Sequence, residues 1–117
     1  DGSNFLNADT IGLGKSLFSA GSVSGFPCYD QLQKVRSVTV NKVHGNEKSI
    51  IEFVERFNPQ IETMEGAAFF YGCEQACKPG IQIRAISNIV ERRNRENWQI
   101  DLAIKNLNDT IIQLFNS

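Results

Sequence analysis

Residues 62–71 read Glu62-Thr63-Met64-Glu65-Gly66-Ala67-Ala68-Phe69-Phe70-Tyr71, and this stretch decides the fold. Residues 60–63 follow the Asn58-Pro59 break and have the character of a short strand. From Glu65 onward apolar residues recur at helical spacing, which predicts a helix with Glu65 in its first turn. One face of that helix carries Phe69, Phe70, Cys73, Ala76 and Cys77.

The corner between strand and helix is a predicted ligand contact. In an open α/β sheet, ligands lie beyond the carboxyl ends of the strands, which is where Met64 and Glu65 fall. A carboxylate there is favoured by the positive end of the helix dipole and only accepts hydrogen bonds. The alternative is that a glutamate in a first turn simply stabilises its helix.

Composition excludes several classes of protein. The 117 residues fit one domain, and 41% of them are hydrophobic, which is enough to form a core. Twelve lysines and arginines against thirteen aspartates and glutamates disfavour nucleic-acid binding through bulk charge. We expect no membrane span, because no apolar window is long enough, and no secretory leader, because the first residues lack a charged-then-apolar pattern. We therefore expect a cytoplasmic protein with no membrane partner, no cofactor and no metal.

The three cysteines also favour the cytoplasm as the expected compartment. Cys28, Cys73 and Cys77 are odd in number and lack metal-type spacing. Cys73 and Cys77 lie four residues apart on the apolar helix face. They are expected to be buried free thiols in a reducing environment.

The chain is predicted to have two parts. Residues 1–34 are rich in Gly, Ser and Asn and are expected to be irregular, and residues 12–16 do not match the spacing of a phosphate-binding loop. Order begins near Val35. Because the chain opens on Asp1 and its single methionine is Met64, we expect an upstream segment to be missing.

The ordered part is predicted to alternate strands and helices. Residues 37–43 alternate like a strand, Asn46 is a suitable N-cap for a helix over residues 47–57, and Pro59 ends it. Residues 81–86 alternate again, and residues 98–115 form a helix with an apolar stripe. The resulting order is β-α-β-α-β-α, an α/β fold with a mostly parallel sheet. The stripe of the last helix comprises Ile100, Ala103, Ile104, Leu107, Ile111 and Leu114.

Two polar side chains follow successive predicted strands. Glu65 comes after residues 60–63, and Asn88 after residues 81–86. Because parallel strands end at one rim of the sheet, these side chains are expected on the same rim. An acceptor-only carboxylate and a carboxamide that donates and accepts suit a ligand with hydroxyls at one end and a heteroaromatic edge at the other. A nucleoside fits that description.

These residues also carry a family resemblance. Residues 63–68, followed by Arg84-Ala85-Ile86-Ser87-Asn88, resemble the paired signature of the nucleoside phosphorylase and nucleosidase superfamily, and most closely the futalosine hydrolases. The similarity also includes residues 40–45, residues 86–95 and Asn97-Trp98. It implies a three-layer α/β/α phosphorylase/hydrolase-like fold. Residues 35–117 would be the C-terminal half of that domain.

The resemblance implies roles for the motif residues. Met64 would lie against the ribose, Glu65 would accept hydrogen bonds from its 2'- and 3'-hydroxyls, and Asn88 would contact N7 and the six-position of the purine. Thr63 and Ser87 would complete the substrate-binding set. Adenine-selective members carry Asp where this chain has Asn88, and a neutral carboxamide suits the 6-oxo group of hypoxanthine.

The implied activity is hydrolysis of an N-ribosidic bond, releasing hypoxanthine from futalosine and leaving dehypoxanthine futalosine in menaquinone biosynthesis. Cleavage passes through an oxocarbenium-like sugar, which the carboxylate of Glu65 would stabilise. Catalysis would therefore rest on Glu65 and Asn88. The family's water-activating acid and Gly-containing ribose loop have no counterpart here, so the chain alone is expected to be inactive.

Several alternatives remain open. A 5'-methylthioadenosine/S-adenosylhomocysteine nucleosidase is one, although Asn88 argues against it; a purine nucleoside phosphorylase is another, and a non-catalytic interaction domain is a third. His44 is either a ligand contact or a local hydrogen-bonding residue. Arg92 either binds an acidic substrate group or belongs to a solvated loop. Expected partners are a small nucleoside and either further copies of the chain or the missing half.

Overall fold

The structure, a computed structural model, describes residues 17–18, 20–21, 31–42, 45–92 and 94–116. It is a mixed α/β arrangement with one small parallel sheet. Most of the predicted irregular segment, including Cys28, lies outside the described residues. The elements in chain order are β1 (Ser37–Thr39), α1 (Glu47–Phe57), β2 (Ile61–Thr63), α2 (Gly66–Gln75), a 3-10 turn (Arg95–Asn97) and α3 (Ile100–Asn116).

The sheet consists of β1 and β2, which pair in parallel with Ser37 opposite Ile61 and Thr39 opposite Thr63. This confirms the predicted β-α-β unit. The prediction of a strand over residues 37–43 is too long, because β1 ends at Thr39. The amide of Val40 still donates to the carbonyl of Thr63 at 2.9 Å. Beyond that point β2 turns away into α2, so a longer β1 would have no partner on this side.

Helix α1 has the predicted bounds. The Asn46 side chain accepts hydrogen bonds from the amides of Lys48 and Ser49 at 3.0 and 3.4 Å, which satisfies two amides of the first turn. The helix ends at Phe57, the following Asn58 has a left-handed φ of 45°, and Pro59 prevents continuation. Phe53 is the buried residue of α1.

Helix α2 begins one residue later than predicted. Glu65 is its N-cap and makes no side-chain capping bond, so it does not belong to the first turn. The helix ends at Gln75, and Cys77 follows in a left-handed conformation with φ 53°. Cys73 is half-buried and Cys77 is exposed. The prediction of two buried thiols is therefore wrong for Cys77, because the helix ends before that residue reaches the apolar face.

The predicted third strand over residues 81–86 is not formed. A strand requires a neighbouring strand to supply its backbone hydrogen bonds, and alternation in sequence does not guarantee one. At the start of this segment the carbonyl of Gly80 accepts from the amide of Gly21 at 2.7 Å. Within the described residues the sheet has two strands, and the order is β-α-β-α-α.

Helix α3 begins at Ile100, two residues after the predicted start. Ala103 and Leu114 of its stripe are buried, whereas Ile100, Ile104 and Ile111 are exposed. Half of the predicted apolar surface is therefore not used as core. Among the described residues, none of the helices combines the length and the apolar character needed to cross a membrane.

Gly66 at the start of α2 is a packing constraint. It is buried, and a Cβ built on it would lie 2.9 Å from Thr63 Oγ1 and 3.1 Å from Thr39 Oγ1. Gly72, in the same helix, has nothing within 4 Å of the corresponding position. The two glycines therefore differ in what a methyl group would meet.

We predict opposite effects of alanine at these glycines. Gly66→Ala should lower the free energy of unfolding by about 1–3 kcal/mol, because the methyl group forces the two threonines apart. Gly72→Ala should raise it by about 0.5–1 kcal/mol, because alanine loses less backbone entropy in a helix. Urea unfolding followed by circular dichroism measures both. A stabilising Gly66→Ala would contradict the close packing described here.

Candidate functional site

The corner between β2 and α2 is held by two threonine hydroxyls. Thr39 and Thr63 lie opposite each other in the sheet, and their Oγ1 atoms are 3.3 Å apart. Thr63 Oγ1 accepts from the amide of Gly66 at 3.2 Å, and Thr39 Oγ1 accepts from the amide of Ala67 at 2.9 Å. Two amides that a helix start leaves unpaired are thus satisfied by the strands.

The two residues between strand and helix face solvent. Met64 is 49% exposed. The Glu65 side chain is 74% exposed and takes no part in capping α2, since the threonines perform that task. The corner therefore presents an apolar thioether and a carboxylate side by side beyond the carboxyl end of β2. This is where the sequence analysis expects a ligand contact.

Arg84 joins the first motif, residues 63–68, to the second motif, residues 84–88. Its Nη2 lies 3.7 Å from Glu65 Oε2, and its Nε donates to Gln82 Oε1 at 3.2 Å. An ion pair this exposed contributes about 0–1 kcal/mol to stability. Its importance is that it brings Arg84 next to Glu65. Sequence reasoning missed Arg84 as a site residue. The available signal was its place at the head of the second motif, on the segment expected to run beside β2.

Asn88 is oriented by its neighbours. The Ser87 hydroxyl donates to Asn88 Oδ1 at 2.7 Å, and Asn88 Nδ2 donates to the carbonyl of Ile89 at 3.2 Å. The Ser87 carbonyl accepts from the amide of Gln99 at 2.7 Å, which ties the motif to the residue before α3. Within the described part of the chain, no hydrogen bond or ion pair links Glu65 to Asn88 directly. The ion pair between Arg84 and Glu65 connects the two motifs.

The remaining predicted site residues have different surroundings. Thr63 is 6% exposed and its hydroxyl is engaged with Thr39 and Gly66, so its contact with a substrate stays a prediction. Arg92 is exposed in the loop before the 3-10 turn, and its role also stays a prediction. His44 lies outside the described residues.

A shallow cavity of about 480 Å³ lies at the start of α3 and contains none of the predicted site residues. The guanidinium of Arg95 lies 5.8 Å from the centre of the Trp98 ring, which forms part of the wall. No group of three His, Cys, Asp or Glu residues able to hold a metal occurs in the described ranges. The cavity is lined by Arg95, Trp98, Gln99, Ile100, Asp101 and Leu102.

Comparison with known proteins gives no match for this chain among protein-family models, curated proteins or solved structures. The likeness to nucleosidases therefore rests on the two motifs themselves.

We predict that the corner depends on the Thr63 hydroxyl. Thr63→Val should lower the free energy of unfolding by about 1–2 kcal/mol, because the amide of Gly66 loses its acceptor in a buried place. Thr110→Val is the matched control, since that hydroxyl bonds to the carbonyl of Asn106 within α3. Its effect should stay within about 0.5 kcal/mol. If Thr63→Val and Thr110→Val lower the free energy of urea unfolding equally, the corner does not depend on the Thr63 hydroxyl.

Proposed function

We propose that residues 35–117 form the C-terminal half of a three-layer α/β/α nucleoside hydrolase domain that cleaves the N-ribosidic bond of a 6-oxopurine nucleoside, with futalosine as the substrate. The observation that carries the proposal is the contact of 3.7 Å between Arg84 and Glu65. It joins two motifs whose combination is specific, whereas either motif alone is weak.

The ribose end of the proposed site is the corner. Glu65 carries an exposed carboxylate with one oxygen, Oε2, directed at Arg84. The other oxygen remains available to accept hydrogen bonds from sugar hydroxyls. Met64, exposed beside it, offers an apolar surface for a sugar ring. As the glycosidic bond breaks, positive charge develops on the sugar, and a fixed carboxylate stabilises that transition state more than the ground state.

The base end of the proposed site is the carboxamide of Asn88. Its Oδ1 accepts from the Ser87 hydroxyl, and its amide nitrogen carries two N–H donors. One N–H of that nitrogen goes to the carbonyl of Ile89, and the second is left to donate to a purine. A donor at N7 or at a 6-oxo group stabilises the departing base. An Asp at the same place would have to be protonated in order to donate.

The other half of the domain is proposed to cover the exposed apolar residues of α1 and α2. Ile51 and Val54 of α1 and Phe69 and Tyr71 of α2 are all exposed. Strands added beside the two that the described residues form would shield these side chains and cover the open sheet edge. The water-activating acid belongs to that other half in this proposal. Hydrolysis is therefore to be tested in a protein that carries it.

We predict that Glu65→Gln lowers kcat/KM for hypoxanthine release by about two to three powers of ten, the range for loss of one preorganised electrostatic contact. The assay uses futalosine and inosine with a protein extending upstream of Asp1. Glu55→Gln, the same change at an exposed position of α1, serves as the control and should leave the rate unchanged. An unchanged rate for Glu65→Gln would remove Glu65 from the ribose role.

The specificity for the base is predicted to reside in Asn88. Asn88→Asp should shift the preference from inosine towards adenosine, because a protonated carboxyl donates to N7 while its carbonyl oxygen accepts from a 6-amino group. Asn94→Asp is the control, because the Asn94 side chain accepts from the amide of Glu96, a bond that an aspartate also accepts. The ratio of the two kcat/KM values is the measurement. If Asn88→Asp leaves this ratio in place, Asn88 does not read the base.

A further inference from the structure

Gln82 lies between the start of α2 and Arg84. Its Oε1 accepts a hydrogen bond from Arg84 Nε at 3.2 Å. The same oxygen is 3.4 Å from the point where a Cβ on Gly66 would stand, so the carboxamide lies against this glycine. Gln82 is half-buried, whereas the Glu65 side chain that Arg84 reaches is 74% exposed. Gln82 therefore holds one side of the Arg84 guanidinium against the corner.

The guanidinium of Arg84 divides its donors between two partners. A guanidinium can bind both oxygens of one carboxylate with Nε and Nη2, whose N–H bonds lie side by side in a fixed plane. Here Nε donates to Gln82 Oε1, while Nη2 faces Glu65 Oε2 at 3.7 Å. That contact is longer than the roughly 2.7–2.9 Å of a charge-assisted hydrogen bond. The pair is therefore an offset contact and not a bidentate one.

A bidentate pair would compete with the ribose for Glu65. The proposed role of this carboxylate requires an oxygen that accepts from sugar hydroxyls. We propose that Gln82 is a positioning residue of the proposed site. By accepting from Arg84 Nε it keeps the guanidinium from binding both oxygens of Glu65, and so leaves Oε1 to the sugar. This inference rests on the proposed function, because it takes the ribose role of Glu65 as given.

The strength of bidentate pairs explains why a positioning residue is needed. Two parallel N–H···O bonds are the stronger form of an arginine–carboxylate contact, so Arg84 and Glu65 are expected to adopt it once Nε has no other acceptor. The Arg84 side chain is 32% exposed, which limits the access of water to Nε. Lysine at position 84 would remove the competition, because an ammonium group is a point charge without a fork.

Gln82→Met keeps the shape of the side chain and removes the acceptor. In a protein extending upstream of Asp1, we expect the KM for futalosine and inosine to rise about tenfold, which corresponds to about 1.4 kcal/mol of binding. We expect kcat to change less than about threefold, because the ribose displaces Arg84 before the bond breaks. A merely structural defect would instead lower kcat with the fraction of folded protein and leave KM in place.

Three further variants isolate the role of the acceptor. Gln82→Glu retains an oxygen at this place and should keep KM within about threefold of the parent value. Gln75→Met, the same substitution at an exposed position of α2, is the matched control and should leave KM unchanged. In an Arg84→Lys background, Gln82→Met should cause no additional rise in KM, because lysine cannot bind two oxygens side by side.

The contact itself has a readout that needs no turnover. In the ¹⁵N-labelled 117-residue chain, the nuclear magnetic resonance signal of Arg84 Nε–Hε reports the acceptor that this group meets. In the parent chain Glu65→Gln should leave the signal in place, because Nε donates to Gln82. In the Gln82→Met chain the same change should move the signal, because Nε then donates to Glu65. A signal that is insensitive to Glu65→Gln in both chains would overturn the proposal.

The kinetic outcomes separate this inference from the nucleosidase proposal. No release of hypoxanthine by the parent protein would refute the proposed function and, with it, the ribose role of Gln82. Release by the parent with an unchanged KM for Gln82→Met, or with an equal rise for Gln75→Met, would overturn the role of Gln82 alone. If Gln82→Met does not fold, Gln82→Leu, which also lacks an acceptor, has to give the same rise in KM.

Discussion

The shared position of two threonine hydroxyls, one on each strand, is the constraint on which the rest of the structure depends. Thr39 and Thr63 meet because β1 and β2 pair in this register, and shifting the register by one residue would turn one hydroxyl to the other face of the sheet. Their contact with the start of α2 then requires a residue without a side chain at Gly66. Sheet register, helix start and glycine are therefore parts of one arrangement.

That arrangement determines what the corner can do chemically. Helix starts often bind anions through their free amides, but the amides of Gly66 and Ala67 are already bonded to the threonines. Recognition at this corner is consequently left to the exposed side chains of Met64 and Glu65. The threonines make the corner rigid, and the residues between strand and helix give it chemical character. Arg84 then adds the only recorded ion pair of Glu65 within the described ranges.

The parts of the fold that sequence predicted correctly are those set by local chemistry. Helix α1 has its predicted bounds because Asn46 caps its start and Pro59 blocks its continuation. The third strand failed because alternation over residues 81–86 describes a possible strand, whereas forming one needs a neighbour. At the site, the sequence predicted that Met64 and Glu65 lie at the corner between strand and helix, beyond the carboxyl end of β2. The place of Arg84 at the head of the second motif pointed to this residue, but its contact with Glu65 depends on the path of residues 78–89, which no local pattern sets.

The origin of the α2 cap also determines when this helix can form during folding. Helix α1 holds its own cap, Asn46, immediately before its first residue, so its capping depends on no distant part of the chain. The amide of Ala67, in contrast, relies on a hydroxyl 28 positions earlier in the chain. That hydroxyl comes into place once β1 and β2 have paired. A stable α2 is thus a late event, coupled to loop closure around α1, and its start should be the first part of the corner to open when the sheet loosens.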